Sequence, residues 1–211
     1  MVKDLGEKLS HVNCFENTIV YCGDKSIVEL VESYDLIGLE EKNNSHKKSF
    51  DTVIGEVNRI AMDEFNAQQT VFTFLDAILI SEQNFADISK LVNEYQLVVC
   101  PSVQSAGISV LGRNPPNIVS TCFSDPNTPS FLGQIQKAQN AGIDKIKIYD
   151  SFRAGFDIDI ERDLALAYEY LKVLNLTHTH IFQFLEANLA VSLKKNHNNR
   201  DLEIKTNRKI D

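Results

Sequence analysis

The sequence predicts an α/β fold with a mainly parallel sheet covered on both faces by helices. Two observations carry this expectation. Strand-like runs alternate with amphipathic segments of about 10–15 residues, the order that parallel crossovers require. The strand-like runs are also nearly continuous in apolar residues, "TVFTFL" and "LVVC" among them. That suits strands buried on both faces better than strands wetted on one.

Taken in order, "MVKDLGEKLS" opens the chain as a helix and "NTIVYC" (17–22) is a β-branched strand. "DKSIVELVESY" follows as a helix with Ile27, Val28, Leu30 and Val31 apolar, and "YDLIGLE" supplies a second strand-like piece. The polar "EKNNSHKKS" (41–49) has no periodicity and reads as a loop. From Phe50 the apolar residues Val53, Ile54, Val57, Ile60 and Ala61 form a helical stripe. "TVFTFLDAILI" (70–80) reads as an apolar strand interrupted by Asp76; a helix over 83–94 and the strand "LVVC" (97–100) come next.

Beyond Pro101 the texture changes. "PSVQSAGISVLGRNPPN" is small, polar and punctuated by Gly and Pro, so it reads as a long loop. "IVSTCF" (118–123) is a strand, "SFLGQIQKAQNAG" a helix ending at Gly142, and "DKIKIYD" another strand. A helix from about 161 carries Leu164, Ala167, Tyr168, Leu171 and Leu174, and a last helical piece covers about 180–193. One α/β domain is expected over 1–190, with 191–211 a polar, basic, flexible tail.

The totals narrow the function classes. The 211 residues are 43% apolar, enough to bury a proper core. With 21 basic against 29 acidic residues, the net charge of −8 opposes sequence-independent binding to nucleic-acid phosphates. A small phosphorylated ligand remains compatible, because a divalent cation can neutralise it locally. Cys14, Cys22, Cys100 and Cys122 lack C-x-x-C spacing and read as small buried hydrophobes in a reducing compartment. With no apolar signal core and no run near the ~18 residues of a membrane span, the expectation is a cytoplasmic protein without a membrane partner.

The chemistry-bearing stretch is "AGFDIDIERDL". On extended backbone, Asp157 and Asp159 fall on one face and Ile158 on the other. Two carboxylates so close repel unless a cation lies between them. With Asp76, where the "TVFTFL" strand ends, they could hold Mg²⁺, which takes one or two carboxylates together with substrate phosphates and water. The alternative is local: Asp159 caps the helix that starts near Ile160, and Asp76 accepts backbone hydrogen bonds at the strand end. Ser130 stands at a helix start, a position able to bind anions or simply to cap. His178 and His180 in "THTH" point to different sides of a helix, which argues against a zinc pair.

The order of these pieces resembles the 2-phospho-L-lactate guanylyltransferase family of coenzyme F-420 biosynthesis. "MVKDLGEKLS", "FLDAIL", "PSVQSAGISVL", "SFLGQIQKA" and "DIDIERDL" follow the family's motif order from residue 1 to about 173. The last is the most specific, departing only at Ile160. The resemblance implies a Rossmann-like three-layer nucleotidyltransferase fold and a reaction that joins GTP to 2-phospho-L-lactate, or phosphoenolpyruvate in some members, releasing pyrophosphate. It implies Mg²⁺ held by Asp76, Asp157 and Asp159, and substrate contacts from Ser130, Ser109 and Gly107.

The departures are specific as well. Against the family pattern the chain starts after a first strand and a basic nucleotide-cradling loop. A homodimer or a partner chain is expected to cover the resulting sheet edge. Ile108 replaces a substrate-facing hydroxyl, Asn127 a glycine, and Gln134 a histidine. Two alternatives stay open on this reading: a non-catalytic relative acting as a binding or regulatory subunit, and a sugar-nucleotide transferase of the same broad fold.

Overall fold

A computed structural model describes residues 1–41, 48–191 and 204–206. Its elements follow the expected alternation: α1 (Val2–His11), β1 (Ile19–Cys22), α2 (Lys25–Glu32), β2 (Ile37–Glu40), α3 (Phe50–Phe65), β3 (Thr70–Thr73), α4 (Glu82–Glu94) and β4 (Leu97–Pro101). Then come β5 (Ile108–Arg113), α5 (Ser130–Asn140), β6 (Ile146–Ile148), α6 (Glu161–Val173), α7 (His180–Asn188), β7 (Leu189–Val191) and β8 (Ile204–Thr206). No described helix is long and apolar enough to cross a membrane.

Local chemistry sets the helix ends. Asp24, Ser49, Ser81 and Thr179 each accept a backbone N–H of the first turn, satisfying donors that have no partner inside the helix. At Ser81 the side chain of Asn84 also accepts the cap residue's own N–H, closing a capping box. Asn66 ends α3 in the left-handed conformation, at φ 53°.

β1 and β2 form a parallel pair. The larger sheet runs β3-β5-β4-β6, with β4 and β6 parallel and β5 antiparallel to both of its neighbours. The parallel pairs are those the alternation predicts; β5 is the departure, because residues 108–113 lie inside the stretch read as a loop. That stretch is the sheet's most buried strand, every residue of it buried. Gly112 is obligatory there, since a Cβ would lie 2.3 Å from Val92 Cγ1 of α4.

Residues 118–123 form no strand, although Val119 and Cys122 are buried as a strand would bury them. Helix side chains satisfy this segment's backbone instead of a ladder. The Asp51 carboxylate accepts from Phe123 N at 2.8 Å and Ser124 N at 2.9 Å, while Gln134 Nε2 and Lys137 Nζ donate to Ser120 O and Thr121 O. β3 is likewise shorter than the 70–80 run. It stops at Thr73, and residues 74–80 turn with Ala77–Ile80 at 4% exposure or less.

That turn joins two apolar clusters. Ala77 and Ile80 enter the cluster of Leu5, Phe85, Ile88, Cys100 and Val110; Ile78 and Leu79 enter the cluster of Phe156, Leu171, Ile181, Phe182 and Leu185 under α6 and α7. Cys100 and Cys122 are buried as expected, but Cys14 is exposed and Cys22 half-buried; all four are unpaired. The last helix stops at Asn188, and β7 pairs antiparallel with β8. Most of the stretches read as a polar loop (41–49) and a flexible tail (191–211) lie outside the described residues.

Candidate functional site

One aspartate follows the carboxyl end of β3, and the segment before α6 brings Asp157 to Ser102 at the carboxyl end of β4. Asp76 sits in the turn three residues past β3. Asp157 and Asp159 lie on an extended, unpaired segment before α6. Burial falls along that segment: Asp157 is buried, Ile158 packs half-buried against the α6–α7 cluster, and Asp159 is exposed, so the two carboxylates do not share one environment. Asp159 is not the helix cap. The cap position is Ile160, and the Asp163 carboxylate of the first turn reaches back to accept from Asp159 N at 2.9 Å and Ile160 N at 3.0 Å. The local explanation for Asp159 therefore fails.

Asp157 is fixed from β4. Ser102 Oγ donates to Asp157 Oδ1 at 2.7 Å, and both residues are buried. Behind it, Val103 N donates to Gly155 O at 2.8 Å. Gly155 has no room for a side chain, because a Cβ would approach Pro101 O to 2.4 Å. The sequence reading missed Ser102; its place directly after the β4 apolar run is the signal that could have found it.

Asp76 stands differently. Its Oδ1 is buried and accepts no hydrogen bond. Burial, with the charges of Asp157 and Asp159, raises its carboxyl to about 6. Asp159 is raised too, by desolvation first and then by Asp157 and Asp163. The charges of Asp157 and Asp159 both reach Asp76, yet the three side chains do not bring their oxygens to within 4.8 Å of one another as a set. An unbonded oxygen and like-charge repulsion fit a hydrated divalent cation, but the separation lets only one or two of the three carboxylates bind it directly, the rest reaching it through water.

The expected substrate residues divide. Gly107 and Ser130 meet in an open pocket of about 490 Å³ with Ser105, Asp125, Asn127 and Thr128. Phe131 N donates to Ala106 O at 3.1 Å, which joins the two sides of that pocket. Ser130 is the first residue of α5 rather than its cap, which is Pro129. Ser109 is fully buried in β5 with its Oγ unbonded, and it does not line the pocket. Ile108, the replacement for a hydroxyl, packs with Leu97, Val99 and Leu111 in the core. Gln134 is wholly buried against Ser120.

A second acidic group lies elsewhere. Among the described residues, Asp4, Glu7 and His180 are the set whose potential ligand atoms come within 4.8 Å of one another. Both Asp4 oxygens are already engaged, by His180 N at 2.6 Å and Ile181 N at 2.9 Å, at the start of α7. The group is explained as a tertiary helix cap. His178 takes no part in it.

Comparison with known proteins bears on this arrangement. The family model of guanylyl transferase CofC-like proteins matches residues 1–207. The 2-phospho-L-lactate guanylyltransferase of Methanocaldococcus vulcanius is 25% identical over 185 residues, covering 83% of this chain and 77% of that protein. That of Methanocaldococcus jannaschii is 23% identical over 164 residues, covering 78% of this chain and 66% of that protein. Among solved structures, one described as a nucleotide-diphospho-sugar transferase from Desulfovibrio desulfuricans G20 superposes with a TM-score of 0.65 at 13% identity, covering 88% of this chain and 79% of that one. At that identity the likeness speaks for the fold, and it bears out the α/β expectation.

Proposed function

This chain belongs to the guanylyl transferase CofC-like family, a family of nucleotidyltransferases, and from that premise we propose that it joins GTP to a small phosphorylated hydroxy acid in coenzyme F-420 biosynthesis. The acceptor is 2-phospho-L-lactate or the related phosphoenolpyruvate. In the reaction an acceptor phosphate oxygen attacks the α-phosphorus of GTP, a new P–O–P linkage forms, and the bond to the β-phosphate breaks to release pyrophosphate. The charge on phosphorus and leaving oxygens rises during that step, and stabilising it is the main catalytic demand.

The observation that carries this reading is the buried, unbonded Asp76 Oδ1 facing the Asp157 and Asp159 charges. A Mg²⁺ ion bound directly by one or two of Asp76, Asp157 and Asp159, and reached by the remainder through its waters, would supply positive charge to the phosphate oxygens. Ser102 keeps Asp157 aimed, and Asp163 keeps Asp159 out of the helix cap and available. In this reading Gly107 lets a ligand approach the backbone at the pocket wall. The N–H groups of Ser130 and Leu132 open the first turn of α5, which favours a phosphate. Ser109, buried beneath that region, reaches ligand only if the 105–109 segment moves. No protein nucleophile is required, since the acceptor phosphate attacks directly.

Calorimetric titration of GTP with Mg²⁺ into the intact chain and into Asp159→Asn tests the proposal. We expect binding that requires Mg²⁺ and weakens about a hundredfold in the variant, because metal-mediated charge stabilisation contributes several kcal/mol. A folded wild type that binds no GTP in the presence of Mg²⁺ would overturn it.

A further inference from the structure

The turn that carries Asp76 is gripped by two cations whose purpose its own sequence does not explain. Lys8 Nζ, from α1, donates to Ile78 O at 2.8 Å. Arg153 Nε, from the segment leading to Asp157, donates to Leu79 O at 2.8 Å. These are successive carbonyls, two and three residues past Asp76, at the point where the chain has left β3 and has no ladder to hold it. Among the described residues no carboxylate pairs directly with either head group.

Burying an ammonium without a bonded carboxylate is costly. Lys8 bears that cost: burial first, and the nearby Arg153, bring it down to about 8, although Asp4 and Glu82 oppose the fall. Arg153 is lowered by burial as well. The charges that raise Asp76 are those of Asp157 and Asp159. What Lys8 and Arg153 share is the backbone of one turn, whose apolar side chains are split between two cores. Arg153 has a further property: it stands four residues before Asp157, so its bond to Leu79 O ties the Asp157 segment to the Asp76 turn.

We propose that Lys8 and Arg153 are positioning residues that set the separation between Asp76 and the Asp157–Asp159 pair, and thereby the metal affinity of the cluster. This rests on the reading of the three aspartates as a metal site. The bonds to Ile78 O and Leu79 O fix the turn's path, and the path fixes where the unbonded Asp76 oxygen stands relative to Asp157. Loss of either bond leaves a buried carbonyl unpaired and lets the turn shift to find water. A shift of about 1 Å is enough to degrade a ligand set.

The test reads the metal itself. Mn²⁺ is titrated into the intact protein and followed by the loss of the free-ion electron paramagnetic resonance signal. Wild type, Lys8→Met, Arg153→Gln, Lys8→Arg and the Lys8→Met/Arg153→Gln double variant are compared, each checked by thermal melting. Expected are about tenfold weaker Mn²⁺ binding in Lys8→Met and in Arg153→Gln, recovery in Lys8→Arg, and a double variant short of the hundredfold that independent effects would give. Cooperatively folded single variants that bind Mn²⁺ as tightly as wild type would overturn the assignment. Should Lys8→Met not fold, Arg153→Gln and Lys8→Arg decide the matter. If the folded wild type itself binds no Mn²⁺, the reading of the aspartates falls, and this inference with it; Asp76→Asn supplies the matching baseline.

Discussion

Two acidic clusters in this molecule look alike in composition and differ in kind. Asp4, Glu7 and His180 come close enough for a cation to touch all three, whereas Asp76, Asp157 and Asp159 do not. By proximity alone the first would be the metal site. Yet both Asp4 oxygens receive backbone N–H groups at the start of α7, and the Met1 ammonium stands 3.5 Å away. In the second cluster a buried Asp76 oxygen receives nothing, and Asp76 and Asp159 are held above the ordinary carboxylate range. On the proposed reading, unsatisfied charge rather than closeness is what separates a site from a structural joint.

This contrast can be broken from either side. The largest stability effect should come from Asp4→Ala, which strips two N–H groups of α7 of a buried partner. A loss of about 2–3 kcal/mol is expected by chemical denaturation, with the Mn²⁺ isotherm of the folded variant unchanged. A weakened isotherm would mean that the first cluster is no mere cap.

A smaller and opposite effect belongs to Asp76. Its folded value of about 6 exceeds the ordinary value of 3.8. Between those values the folded state therefore keeps a proton that the unfolded state has released. Stability falls as pH rises through that window, and the full penalty stands above it. Allowing for solvent screening, that penalty is about 1–2 kcal/mol. Melting temperature followed from pH 4 to 7 should decline more steeply in wild type than in Asp76→Asn. Added Mg²⁺ should raise it at pH 7 and have little effect at pH 5. An identical decline in both proteins would remove Asp76 as the cause.

The smallest effect sharpens the comparison at its edge. His180 Nε2 and Glu7 Oε1 lie 3.2 Å apart, but the two side chains are 47% and 52% exposed. Such a surface pair contributes little. Glu7→Gln should change stability by less than about 0.5 kcal/mol, measured by the same denaturation. A loss above 1 kcal/mol would show the cluster to be more than a cap with a nearby surface pair.

Much of this was legible in the chain. Helical periodicity located α2, α3 and α6, and the strand–helix alternation located α4. Where the reading failed, the cause was tertiary. "AGISVLGR" has the small and polar residues of a loop, and becomes a central strand because β3 and β4 offer ladders on both sides and α4 presses on Gly112. "IVSTCF" has the residues of a strand and becomes irregular because Asp51, Gln134 and Lys137 satisfy its backbone first. "DAILI" is as apolar as any strand, but Lys8 and Arg153 hold its carbonyls in a turn.

The sequence by itself determined the α/β alternation and most helix positions, because these follow from side-chain periodicity and short-range spacing. Only the tertiary structure decided which backbone groups find partners and which carboxylates remain unmet. Those outcomes depend on contacts between residues as far apart as Asp4 and Ile181, or Lys8 and Ile78. A hydrogen bond has no signature in local composition when its partner is 70 or more residues away, and the unbonded oxygen of Asp76 is the residue of that long-range accounting.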